Sequence, residues 1–315
     1  MSNVASSAAD ERLDAARLSA VTVFVLERNS EVATGMRTML RGVGMAGVKT
    51  FASTEELEAA LQTTIADVLI LSENAATNIF EVTKRVRSSL AGRNPFTVIL
   101  LLVKPDDKES AMAALKSGAD SALLKPVSSA ALVERVAQLA FRRPPFIATT
   151  DYVGPERRAA GRPSDIPLIQ TINTLRYKLE RRAIQPEVLN NAITATAAQL
   201  WRGQLQSQSM RLHWSSSKMS ERYHSEGSAV LKPALLDLVG VLGEAAVTAA
   251  RISNQGMVDV CRSLADELSA LAEDTTSVDT VKLAAIGKIP AAFERARLAL
   301  VPQASSEPPK EGDGE

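Results

Sequence analysis

Short apolar runs and helical stripes alternate along the first 144 residues. Residues 21–26, Val-Thr-Val-Phe-Val-Leu, form a β-branched run of strand length. Apolar residues then recur at Val32, Met36, Met39, Leu40 and Val43, a spacing that predicts a helix closed by Gly44. Residues 47–51 read as a second strand. Ser53, with Glu56 three residues on, is a capping box that opens a helix carrying Leu57, Ala60 and Leu61. The central run is Val68-Leu69-Ile70-Leu71, apolar on both faces and too short for a helix, as in a parallel sheet covered on both sides. Helices over 78–90, 106–117 and 128–141 alternate with strands over 96–102 and 121–124. Five strands alternating with five helices predict an α/β fold, doubly wound on a five-stranded parallel sheet, with a right-handed crossover at each step.

After Pro144-Pro145 the pattern changes. Residues 145–165 are rich in Gly, Pro and Arg and read as a linker. Helical stripes follow over 167–182, from Pro186 through Leu200 toward Trp201, over 235–249, over 257–271 and over 281–300. Their apolar faces are to be buried against each other, as an all-α bundle, or against a second subunit. The spacing leaves open whether the helix from Pro186 continues to Tyr223. The predicted organisation is therefore a polar leader (1–20), an α/β domain (21–144), a linker (145–165), a helical bundle (166–302) and an acidic tail (303–315).

Composition narrows the function classes. Lys plus Arg equals Asp plus Glu, at 36 each, so no global charge draws the chain to nucleic acid or an acidic membrane. The leader lacks the apolar core of a signal peptide, and no run approaches the length of a spanning helix. A single cysteine, Cys261, fits a reducing cytoplasm and reads as a buried small hydrophobe. There is no Cys/His pair, Gly-rich phosphate loop or metal-ligand cluster, so the expectation is a non-enzyme without cofactor. His213 and His224 read as surface histidines, and Trp201 and Trp214 as packing residues. Between Arg142 and Arg182 nine basic residues face four acidic ones. Arg157, Arg158 and Arg162 are the candidate anion-binding group there, against the plainer reading of a solvated connector.

Residues 21–142 resemble the receiver domain of bacterial two-component response regulators, the CheY-like fold. The resemblance rests on element order, on acidic Glu27 after the first strand, on 67–72 in the place of the family's strand ending in aspartate, and on Gly118-Ala119-Asp120 followed by Lys125-Pro126. It implies a pocket at the carboxyl edge where two acids and the aspartate hold Mg²⁺, and where that aspartate is phosphorylated. Mapped onto this chain, the second acid is Arg28, the nucleophile position is Ser72, the hydroxyl position is Val103 and the switch aromatic is Ala122. Only Glu27, Lys125 and Pro126 keep the pattern. The resemblance thus implies a degenerate receiver that does not bind Mg²⁺, with Ser72 lacking an adjacent base; Arg28 either fills the metal's volume and pairs with Glu27 or Glu73, or points into solvent from its loop. The expected role is phosphorylation-independent signalling through protein contacts made by residues 107–141 or by the bundle. Two alternatives stay open: a phosphorelay regulator that still responds to a ligand through Lys125 and Ser72, and a DNA-binding regulator using the basic linker and the adjacent helix.

Overall fold

The computed structural model describes residues 15–74, 77–105, 108–158, 166–275, 278 and 280–299. The chain divides into two compact units, residues 1–203 and 204–315.

The first unit begins with a helical turn, α1 (Ala15–Leu18), and then alternates β1 (Thr22–Leu26), α2 (Ser30–Gly42), β2 (Gly47–Phe51), α3 (Thr54–Thr63), β3 (Val68–Ser72), α4 (Ile79–Arg87), β4 (Val98–Val103), α5 (Lys108–Ser117), β5 (Ser121–Leu124) and α6 (Ser129–Phe141). The strands pair in parallel in the order β2-β1-β3-β4-β5, the flavodoxin-like and CheY-like order. Every residue of β3 and β4 is buried, as the unbroken apolar runs predict. Alternate strand residues feed two cores. Val23, Val25, Ile70, Leu100 and Leu102 face one layer of helices; Phe24, Leu26, Leu69, Leu71 and Leu101 face the other.

Side-chain caps set several helix starts. Asn29, Asn78 and Ser128 accept from backbone N–H groups of α2, α4 and α6. Ser53 accepts from the Glu56 N–H at 3.2 Å, and the Glu56 carboxylate reaches back to the Ala52 N–H at 3.2 Å, one residue outside the expected box.

The first part of the expected linker carries regular structure; residues 159–165 lie outside the described residues. β6 (Phe146–Ala148) and β7 (Val153–Pro155) form an antiparallel hairpin, and Phe146 exchanges two backbone hydrogen bonds of 2.8 Å with Ile169. The helix expected over 167–182 is reduced to α7 (Thr174–Leu179). Its apolar stripe serves two structures: Ile169 pairs with the hairpin, while Leu175 and Leu179 enter the core of the sheet. Asn173 caps α7 and donates to the carbonyls of Leu139 and Ala140, tying α7 to the end of α6.

Helix α8 (Pro186–Glu226) runs unbroken for 41 residues, beyond the point where its pattern became ambiguous. In the second unit a 3-10 turn at Gly227–Val230 leads into α9 (Leu231–Arg251), α10 (Gln255–Glu273), α11 (Thr280–Ile286) and α12 (Ile289–Leu298). The single last helix expected over 281–300 is thus two, divided around Gly287. One core joins these helices through residues such as Leu235, Leu242, Leu268 and Phe293. Cys261 lies in it, fully buried, as expected. Trp201 is buried, but Trp214 is 60% exposed with the Arg211 guanidinium 5.6 Å over its ring, so it does not pack in the core. Among the described residues no helix is long and apolar enough to cross a membrane.

Candidate functional site at the carboxyl edge of the sheet

Strands β1 and β3 are neighbours from which the chain winds in opposite directions, and the crevice outside their carboxyl ends is where open α/β sheets bind ligands. β1 delivers Glu27 to this edge, β3 delivers Ser72, and Lys125 follows β5 directly.

These three side chains converge. The Glu27 carboxylate is buried; one oxygen accepts the Asn29 N–H at 2.9 Å and the other accepts the Ser72 hydroxyl. Lys125 Nζ lies 4.0 Å from the same Glu27 oxygen and donates to the Glu73 carbonyl at 2.7 Å. Burial pushes the Lys125 ammonium below its ordinary pKa, opposed by the charges of Glu27 and Glu73. The sequence places no base next to the Ser72 hydroxyl. The fold instead places a carboxylate against its hydroxyl, brought from 45 residues away by β1–β3 pairing.

Other expected positions do not join the cluster. Arg28 is exposed and, among the described residues, makes no ion pair with Glu27 or Glu73. The reason is local: Glu27 accepts hydrogen bonds from Asn29 and Ser72 and faces the Lys125 charge, while the Glu73 carboxylate accepts the Lys104 N–H at 2.8 Å and the Ser110 hydroxyl at 2.6 Å. Val103 is buried and offers only its backbone carbonyl, which accepts the Lys125 N–H at 2.9 Å. Ala122 is exposed on β5, opposite Leu101.

Two of the basic linker residues are engaged within the segment itself. Arg157 donates to the Ala119 carbonyl and to the Tyr152 hydroxyl, the latter at 3.2 Å, and Arg158 is folded onto Glu156 at 2.8 Å. The Arg157 and Arg158 guanidinium groups therefore serve the hairpin and do not converge on a shared ligand. Arg162 lies outside the described residues.

A second polar cluster, absent from the sequence reading, sits at the opposite end of β5. The fully buried Asp120 carboxylate pairs with Arg87 and Arg143, each at 2.7 Å, and accepts the Ile99 N–H at 2.7 Å. Burial by itself would raise this carboxyl, but Arg143 and Arg87 hold it below the ordinary carboxylate range. Burial lowers Arg87 to about 10. Both guanidinium groups stack on the Phe146 ring, at 5.1 and 4.7 Å from its centroid. The available signal was Asp120 in the Gly-Ala-Asp segment, read only as a helix end.

No protein-family model matches the chain, and no curated protein matches it. Among solved structures it is similar to the chemotaxis protein CheY4 of Vibrio cholerae, with 24% identity and a TM-score of 0.34 over 38% of this chain and 97% of that one. It is similar to a response regulator receiver protein from Burkholderia phymatum, with 26% identity and a TM-score of 0.33 over 38% of this chain and 94% of that one. It is also similar to full-length FixJ from B. japonicum, with 11% identity and a TM-score of 0.33 over 86% of this chain and 98% of that one.

Proposed function

We propose that this chain is a response-regulator-like signalling protein that works by protein contact without aspartyl phosphorylation, and that it is not an enzyme. The observation that carries the reading is the closed Glu27–Ser72–Lys125 cluster. Ser72, at the end of β3, is a neutral hydroxyl that donates a hydrogen bond to Glu27, and Lys125 donates to a backbone carbonyl. A hard divalent cation needs several oxygen ligands, about six for Mg²⁺. Among the described residues Glu27 is the one carboxylate turned into this pocket, because Glu73 is turned to Lys104 and Ser110. The donor set does not fit a resident Mg²⁺, and no phosphoryl step is assigned to it.

The contact surface is the α5–β5–α6 face. There Met112, Leu115 and Leu124 are each about half exposed or more, and β5 is an edge strand alternating half-buried with exposed residues. The test treats the full chain with Mg²⁺ and acetyl phosphate or beryllofluoride, beside an Arg28→Asp, Ser72→Asp double variant. The expected result is no phosphoryl adduct and no Mg²⁺-dependent shift of Lys125-adjacent amides in the natural chain, with both appearing in the variant. An adduct on the natural chain would overturn the reading.

A further inference from the structure

A groove of about 530 Å³ opens at the same edge, between α2 and the segment that enters α6. That volume falls within the range of about 300–1,000 Å³ common for small-molecule sites. Its walls are apolar: Val32, Met36 and Met39 from α2, Leu102 from β4, and Val127. Among the described residues its polar groups are confined to Ser72 and Lys125. Unbranched methionine side chains re-pack around varied apolar shapes, so two of them along one wall make an adaptable surface.

We propose that this groove binds a small, mainly apolar molecule ending in a carboxylate, its chain against Met36 and Met39 and its head on Lys125. The inference goes beyond the contact reading and does not need it, since it rests on the groove and Lys125 alone. An ammonium has three donors. The Glu73 carbonyl takes one, and Glu27 at 4.0 Å stands beyond hydrogen-bond distance, so among the described residues a donor remains for an incoming acceptor. Burial that disfavours the Lys125 charge is relieved by an anion more than by a neutral group. Ser72 has already committed its proton to Glu27, leaving Lys125 as the head-group contact. The position also suits a ligand, because it lies beside the β1–β3 switch.

The probe pair is octanoate and octan-1-ol, titrated into the full chain carrying ¹³C-methyl methionine. Met36 and Met39 methyl signals are the expected reporters, with octanoate binding about tenfold tighter than the alcohol, the size of one hydrogen bond to a charged donor. A Gly35→Phe variant blocks the groove without threatening the fold: Gly35 lies on α2 at the groove, and a Cβ there meets nothing within 4 Å. It should abolish both responses. Lys125→Met should keep binding of the alcohol and erase the acid's advantage. The proposal fails if octanoate leaves Met36 and Met39 unmoved, if the shifts persist in Gly35→Phe, or if acid and alcohol bind the natural chain equally. That last result would mark the groove as a seat for an apolar side chain of a partner protein.

Discussion

The Ser72 hydroxyl is donated to the Glu27 carboxylate across the β1–β3 junction, linking the ends of the two strands from which the chain winds in opposite directions. Removing that donor leaves a buried carboxylate short of one partner. Ser72→Ala should cost about 1–3 kcal/mol in urea unfolding. Ser72→Asp should cost more, because it sets a second carboxylate beside Glu27. Mg²⁺ should return part of that loss, since an ion bridging two native carboxylates binds only the folded state. A Ser72→Asp variant indifferent to Mg²⁺ would show that the pocket cannot gather a metal even when the acid is supplied.

The sheet and its order were legible because β3 and β4 are doubly buried, and such strands write their burial as unbroken apolar runs. Glu27, Ser72 and Lys125 were each legible as positions, but their hydrogen bonds were not. Contacts across 45 and 52 residues are fixed by sheet register, which no local pattern states. The hairpin is not legible because the Gly and Pro of 153–155 signal a loop, whereas here Gly154 permits close approach to Gly118. α7 was overextended because Ile169 and Leu175 share a helical spacing while serving different partners.

Asp120 holds two buried guanidinium groups, so Asp120→Asn should be among the most damaging single changes in the first unit. Breaking one partner of a buried ion cluster costs about 3–5 kcal/mol. The pH dependence has a definite sign. The folded carboxyl lies below its ordinary value of 3.8, so its stabilisation is complete above that value and is lost as pH falls through the folded value. Asp67, pushed up by burial, titrates the other way, but it is common to both chains and cancels in their difference. The gap in stability between the natural chain and Asp120→Asn should therefore be constant near neutral pH and shrink below about pH 4. Thermal unfolding of both chains across that range checks it.

Gly118 has φ +87°, and a Cβ there would lie 2.1 Å from the Val153 carbonyl oxygen. Gly118→Ala should cost at least about 1–3 kcal/mol in backbone strain alone and push β7 off the sheet unit. Faster tryptic cleavage after Arg157 and Arg158 would report the displaced hairpin. Gly227 supplies the control: its φ is +77°, but its surroundings are open, so Gly227→Ala should pay only strain of about 1–2 kcal/mol and leave that cleavage unchanged.

In the second unit, Gln208 is fully buried on α8 and faces Thr248 of α9. Its amide nitrogen donates to the Thr248 hydroxyl at 3.2 Å, and that hydroxyl donates onward to the Glu244 carbonyl at 2.9 Å. The Gln208 amide oxygen finds no donor among the described residues. A buried acceptor left unpaired costs about 1–3 kcal/mol, more than the net worth of the one hydrogen bond that the amide makes, about 0.5–1.5 kcal/mol. Replacing the side chain with an apolar one of similar length removes the debt together with that bond. Gln208→Met should thus be neutral or stabilising by about 1 kcal/mol in urea unfolding. Thr248→Val, which leaves the Gln208 amide with neither bond, should be destabilising. If Gln208→Met instead costs as much as Thr248→Val, the amide oxygen has a partner such as an ordered water, and the polar layer between α8 and α9 is fully satisfied.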